Sequence, residues 1–164
     1  MGQLKYLIIH CSDTPPNFNV TGDHIRQWHL SPKPKGRGWH QVGYSDLIKR
    51  DGSIEKLNDY NEDEWISDNE ITNGAAGFNG VSRHICLAGG KDENGISIFG
   101  NFYDLFTDDQ FVKLQDYVKG FLGKHLTCQV LGHYQVNKHK NCPGFDVQKY
   151  LRLINIPETN IYKS

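Results

Sequence analysis

Two histidines and a cysteine carry the strongest chemical signal in this chain: His10, His133 and Cys142. His10 closes the apolar run Leu7-Ile8-Ile9, and His133 follows the run Cys128-Gln129-Val130-Leu131. Cys142 lies in the loop Lys138-His139-Lys140-Asn141-Cys142-Pro143-Gly144. Two imidazoles and a thiolate suit zinc, a borderline-soft ion, and a zinc with three protein ligands keeps a position for water. Such a centre is hydrolytic in type. Spacing alone leaves one ligand open. His139-x-x-Cys142 is a local chelate, whereas His133 serves only if the loop folds back. The remaining thiols are weaker candidates. Cys11 follows His10 directly and in a strand points to the opposite face. Cys86, in Ile85-Cys86-Leu87-Ala88, and Cys128 fit small buried hydrophobes. A cysteine hydrolase using Cys142 or Cys11 with a histidine is a further alternative, although no orienting acid accompanies either thiol.

These residues need a scaffold, and the pattern supplies one. The spacing predicts strands over Leu4 to His10, Val42 to Arg50, Ser53 to Leu57, Arg83 to Ala88 and Gln129 to Leu131. Asp51-Gly52 is the turn signal of a two-residue hairpin. Thr21 can cap a helix from Gly22 to His29, with Ile25 and Trp28 on one face. Thr107 and Gln110 form a capping box that opens an amphipathic helix to His125, and a closing helix spans Asp146 to Ile154. A short helix is expected near Glu62 to Ser67, and a loop or weak ribbon from Asp92 to Phe102. Interleaved strands and helices with one hairpin predict an α/β fold, a central mixed β-sheet flanked by helices on both faces.

The chain has 164 residues, which suits a single domain over 1–164 with no separate wall-binding unit. Lys and Arg total 18 against 19 Asp and Glu, so no global field favours nucleic acid or a membrane surface. The N-terminus enters a strand at once, without a charged segment followed by a long apolar one, so no signal peptide is expected.

Six blocks then occur in order: Ile8-Ile9-His10-Cys11-Ser12, Ile25-Arg26-Gln27-Trp28-His29, Gly38-Trp39, Val42-Gly43-Tyr44, Ile48-Lys49-Arg50-Asp51-Gly52 and Cys142-Pro143-Gly144-Phe145-Asp146. Together they resemble the zinc-dependent N-acetylmuramoyl-L-alanine amidases, the type 2 amidase and peptidoglycan-recognition-protein family. The likeness is closest to short phage lysozymes of amidase type and runs from about Leu4 to Leu153.

The resemblance implies that His10, His133 and Cys142 hold Zn2+, with Tyr44 and Lys140 as catalytic residues. It implies hydrolysis of the amide between N-acetylmuramic acid and L-alanine of peptidoglycan, by a phage or prophage endolysin. Taken alone, Tyr44 fits a packed aromatic and Lys140 a solvated loop lysine. Trp39 and Asn79 are expected to touch substrate. The expected partner is peptidoglycan only, met by a monomer that stays in the cytoplasm until it is released to the wall. The alternatives are a non-catalytic peptidoglycan-binding module and a phage regulator that binds a cytoplasmic protein. Replacement of the ligand cysteine marks the non-catalytic relatives, and Cys142 is present. Two positions depart from the family pattern. Ser45 stands where a histidine commonly follows the tyrosine, and Gly74-Ala75 stands where a histidine-alanine pair is frequent.

Overall fold

A computed structural model describes residues 2–164. In chain order the strands are β1 (Gly2–Gln3), β2 (Tyr6–Cys11), β3 (Asp46–Ile48), β4 (Ile54–Lys56), β5 (Trp65–Ile66), β6 (Ser82–Leu87) and β7 (Gln129–Gly132). The α-helices are α1 (Gly22–Leu30), α2 (Phe102–Leu105), α3 (Asp108–Lys124) and α4 (Val147–Leu153). The run before His10 forms the inner strand β2 because both of its faces are covered, and Leu7, Ile8 and Ile9 have no exposed surface. The main sheet has the order β4-β3-β6-β2-β7. Strands β3, β6, β2 and β7 run parallel, and β4 is an antiparallel edge. β1 and β5 make a separate antiparallel pair. The mixed sheet is the one expected.

Alternation along β2 sorts its side chains between two layers. Leu7 and Ile9 join Ile85 and Leu87 against Leu114 and Val118 of α3 and Val147 and Leu151 of α4. On the other face Leu47 and Cys86 meet Ile25 of α1, while Ile8 packs with Ala75 and Leu131. The second face also carries His10 and His84, at strand positions of the same parity as Ile8 and Cys86.

The predicted caps hold. Thr107 Oγ1 accepts the Gln110 N–H at 3.1 Å, and Gln110 Oε1 accepts the Thr107 N–H at 3.1 Å. Gln110 Nε2 also donates to the carbonyls of Ala88 (2.8 Å) and Ile48 (3.3 Å). One buried amide thus starts α3 and satisfies carbonyls at the ends of β3 and β6. Thr21 caps α1, its backbone N–H bonded to His24 Nδ1 at 3.0 Å.

Three expectations need correction. Only Asp46–Ile48 of the predicted Val42 to Arg50 strand is extended sheet, because the backbone over Val42 to Tyr44 bends to approach α1 and the Asn73 loop instead. The turn after β3 is longer than two residues. The Lys49 N–H bonds Ser53 O, the Gly52 N–H bonds Lys49 O, and Gly52 takes φ 81°. No helix forms over Glu62 to Ser67. Asn61 and Asp63 side chains accept local backbone N–H groups there, the competition that keeps such residues out of helices, and β5 and a 3-10 turn at Asp68–Glu70 follow. Among the described residues no helix is long and apolar enough to cross a membrane.

Candidate metal centre

Parallel pairing aligns Ile9 of β2 with Gly132 of β7. One step further along both strands brings His10 level with His133, whose rings lie 4.7 Å apart between centroids. His133 opens a 3-10 turn, His133–Gln135, which swings the chain off the sheet. The chain then folds back, as the use of His133 requires. The Tyr134 N–H bonds the Cys142 carbonyl at 2.9 Å, and Tyr134 Oη accepts the Val147 N–H at 3.2 Å. The anchor is apolar, since Phe145 is almost fully buried.

One donor atom from each of His10, His133 and Cys142 then lies within 4.8 Å of the others. His10 turns Nδ1 toward Cys142 Sγ at 3.7 Å, and the Cys11 N–H donates to the same sulfur at 3.2 Å. His139 stays outside this cluster. It is exposed on the loop, its N–H bonded to Asn137 Oδ1 at 3.1 Å. Cys11, Cys86 and Cys128 are buried, as expected of packing thiols.

Burial sets the protonation of the three donors. Burial, then the neighbouring His84 and His133, pushes His10 well below the usual histidine pKa. Burial, then Lys140, lowers His133 to about 4. Both imidazoles are therefore neutral near pH 7 and offer lone pairs. Burial raises the Cys142 thiol well above its usual value, so a free thiolate is disfavoured there, and a bound divalent ion reverses that preference. Two neutral imidazoles and a thiol that a divalent ion can deprotonate are a donor set that fits zinc.

The cluster opens into a cleft of about 660 Å³. Tyr44, Trp39, Arg37, His139 and Lys140 line it. The Tyr44 ring lies 5.0 Å from that of His10. Burial, then the thiols of Cys86 and Cys142, raises the Tyr44 phenol well above its ordinary pKa, so it remains a proton-bearing donor. The Arg37 guanidinium sits 5.0 Å from the Trp39 ring centre, a cation–π contact on the cleft wall. Asn79 does not line the cleft. Its Oδ1 accepts the Ala75 N–H at 2.8 Å and braces the loop.

The family model for N-acetylmuramoyl-L-alanine amidase matches residues 1–145. The chain belongs to the N-acetylmuramoyl-L-alanine amidase family. The amidase is 35% identical to the endolysin of Escherichia phage T7 over 144 residues, 88% of this chain and 83% of the relative. In fold the amidase is similar to N-acetylmuramoyl-L-alanine amidase LysC from Clostridium intestinale URNW, with TM-score 0.67, 21% identity, and coverage of 95% of this chain and 88% of that one. It is also similar to a Drosophila PGRP-LB mutant in complex with tracheal cytotoxin, with TM-score 0.63, 22% identity, and coverage of 99% and 86%.

Sequence reasoning missed two histidines of the amidase. His84, fully buried in β6, brings Nδ1 within 2.9 Å of His10 Nε2. His29 at the end of α1 accepts the Gly43 N–H. A signal for His84 was available: an imidazole inside an apolar strand, on the parity that faces His10. His29 gave none, because helix periodicity does not tell which loop crosses the helix.

Proposed function

We propose that this amidase hydrolyses the amide between N-acetylmuramic acid and L-alanine in peptidoglycan, as a zinc-dependent phage endolysin. The observation that carries the reading is the convergence of His10, His133 and Cys142 donors on one point at the floor of the cleft. Those three residues would hold the ion. When bound, zinc lowers the pKa of water to about 7 and polarises a carbonyl, which is the chemistry an unactivated amide needs.

The chain's own residues do the rest. Tyr44 keeps its phenolic proton and donates a hydrogen bond to the oxygen that gains charge as the scissile carbonyl becomes tetrahedral. Lys140, on the rim beside His133, adds a positive charge to the same side. The Trp39 face, with Arg37 over it, offers a wall for the stem peptide, and Asn79 acts by bracing the loop at Ala75. The protein works as one catalytic domain and as a monomer, held in the cytoplasm until it reaches the wall.

Metal analysis and purified cell walls test this together. The expected result is about one zinc per chain and new L-alanine amino termini, both lost in Cys142→Ala. Reducing sugar ends in place of amino ends would mean a glycosidase. Amide cleavage that survives zinc removal would mean a cysteine nucleophile.

A further inference from the structure

His10 faces the candidate centre through Nδ1, so its other nitrogen must be fixed by something else. That nitrogen, Nε2, lies 2.9 Å from Nδ1 of His84. With the Nδ1 lone pair of His10 directed at a metal, the ring proton sits on Nε2 and is donated to His84. His84 then accepts at Nδ1 and carries its own proton on Nε2. That second nitrogen is buried and has no hydrogen-bond partner among the described residues. An orphaned buried N–H is unfavourable. The neighbours of His84 in the strand, Ser82 and Arg83 aside, are apolar, and an apolar residue would avoid that penalty. The unfavourable nitrogen marks an imidazole held for its other end.

Gly74 supports the same assignment from a different direction. A Cβ built on Gly74 overlaps His84 Nδ1 and comes within 2.7 Å of the Gly43 carbonyl oxygen. The bare glycine leaves the space in which His84 stands against His10. His84 and Gly74 are therefore one device contributed by two segments, a strand and a loop.

We propose that His84 is a positioning residue for the metal centre, which locks His10 in the orientation that presents Nδ1, and that Gly74 is the residue that admits it. The proposal rests on the zinc reading above.

Zinc affinity by chelator competition tests it, with circular dichroism and unfolding midpoints measured in parallel. His84→Phe keeps the volume and removes the acceptor, and zinc should bind 10- to 100-fold more weakly. His84→Asn, whose Oδ1 can stand near the lost Nδ1, should recover most of that loss. Gly74→Ala should weaken zinc similarly by displacing the His84 ring, with residue 84 itself unchanged. At saturating zinc, kcat of His84→Phe should return toward wild type. Tight zinc in wild type with equal affinity in His84→Phe and Gly74→Ala would overturn the positioning role alone. If wild type binds no zinc, the metal reading itself fails. Should His84→Phe not fold, the contrast between His84→Asn and Gly74→Ala decides: equal affinities in those two overturn the proposal.

Discussion

His29 accepts the backbone N–H of Gly43 through Nδ1 at 2.9 Å, one residue before Tyr44. The approach is close because Gly43 lacks a side chain; a Cβ there would meet His29 Cε1 at 2.9 Å. A helix-end imidazole thereby fixes the loop that carries the cleft phenol. Burial, then Arg37, lowers His29 to about 4 from an ordinary 6.5. Between those values the unfolded chain binds a proton that the folded chain does not, so stability falls as pH drops from about 6.5 through about 4. The contribution is about 1–2 kcal/mol after solvent screening. Urea unfolding of wild type and His29→Asn across this window should show a shallower pH slope in the variant, which retains an acceptor that does not titrate. Equal slopes would remove His29 from the account.

Tyr44→Phe deletes one hydroxyl from a half-buried ring. The expected outcome is a loss of about 10²–10³ in kcat. Zinc content and unfolding midpoint should stay near wild type. A parallel loss of zinc would instead make Tyr44 part of the metal-holding structure.

Removing zinc should cost stability as well as activity, because an ion that binds only the folded chain stabilises it by mass action. At free zinc a thousand-fold above Kd this amounts to about 4 kcal/mol, or a melting temperature lower by about 10 °C after chelation. Differential scanning calorimetry with and without chelator, followed by zinc re-addition, checks both the shift and its reversal.

Arg83, next to His84 in β6, is also buried. Its guanidinium donates to Glu62 Oε2 and to the Asn61 carbonyl, each at 2.9 Å, and stacks 3.9 Å from the Tyr60 ring centre. Lysine cannot reproduce a planar fork that also stacks. Arg83→Lys should therefore destabilise by about 1–3 kcal/mol in urea titrations. Burial alone would raise Glu62, but Arg83, with His125 and Lys124, holds it at about 2. That stabilisation is present above about pH 4.5 and is lost as pH falls toward 2. The variant should have a flatter profile over this range.

The two capped helices and the central strands could be read from the chain because local pattern encodes them. Thr107 and Gln110 satisfy each other three residues apart, and Leu7-Ile8-Ile9 is apolar without alternation, as an inner parallel strand must be. What stayed hidden depends on contacts distant in sequence. Tyr44 alternates with Val42 on paper, yet His29 and the Asn73 N–H, which donates to the Val42 carbonyl, draw that segment off the sheet. Gly74 counted as a lost histidine. A Cβ at that loop position would overlap the His84 ring of β6. Spacing alone left His139 open beside His133, and the Tyr134-to-Cys142 backbone bond turns the loop so that His133 joins the cluster while His139 stays exposed.

The Cys142 sulfur and the His10 imidazole lie 132 residues apart in the chain. They meet only after β7 has docked beside β2 and the loop beyond it has closed. A partly folded or still-emerging polypeptide thus holds its donors scattered, without a competent centre. Any capacity of this centre to cut the wall therefore depends on contacts between the two ends of the chain, not on either end alone.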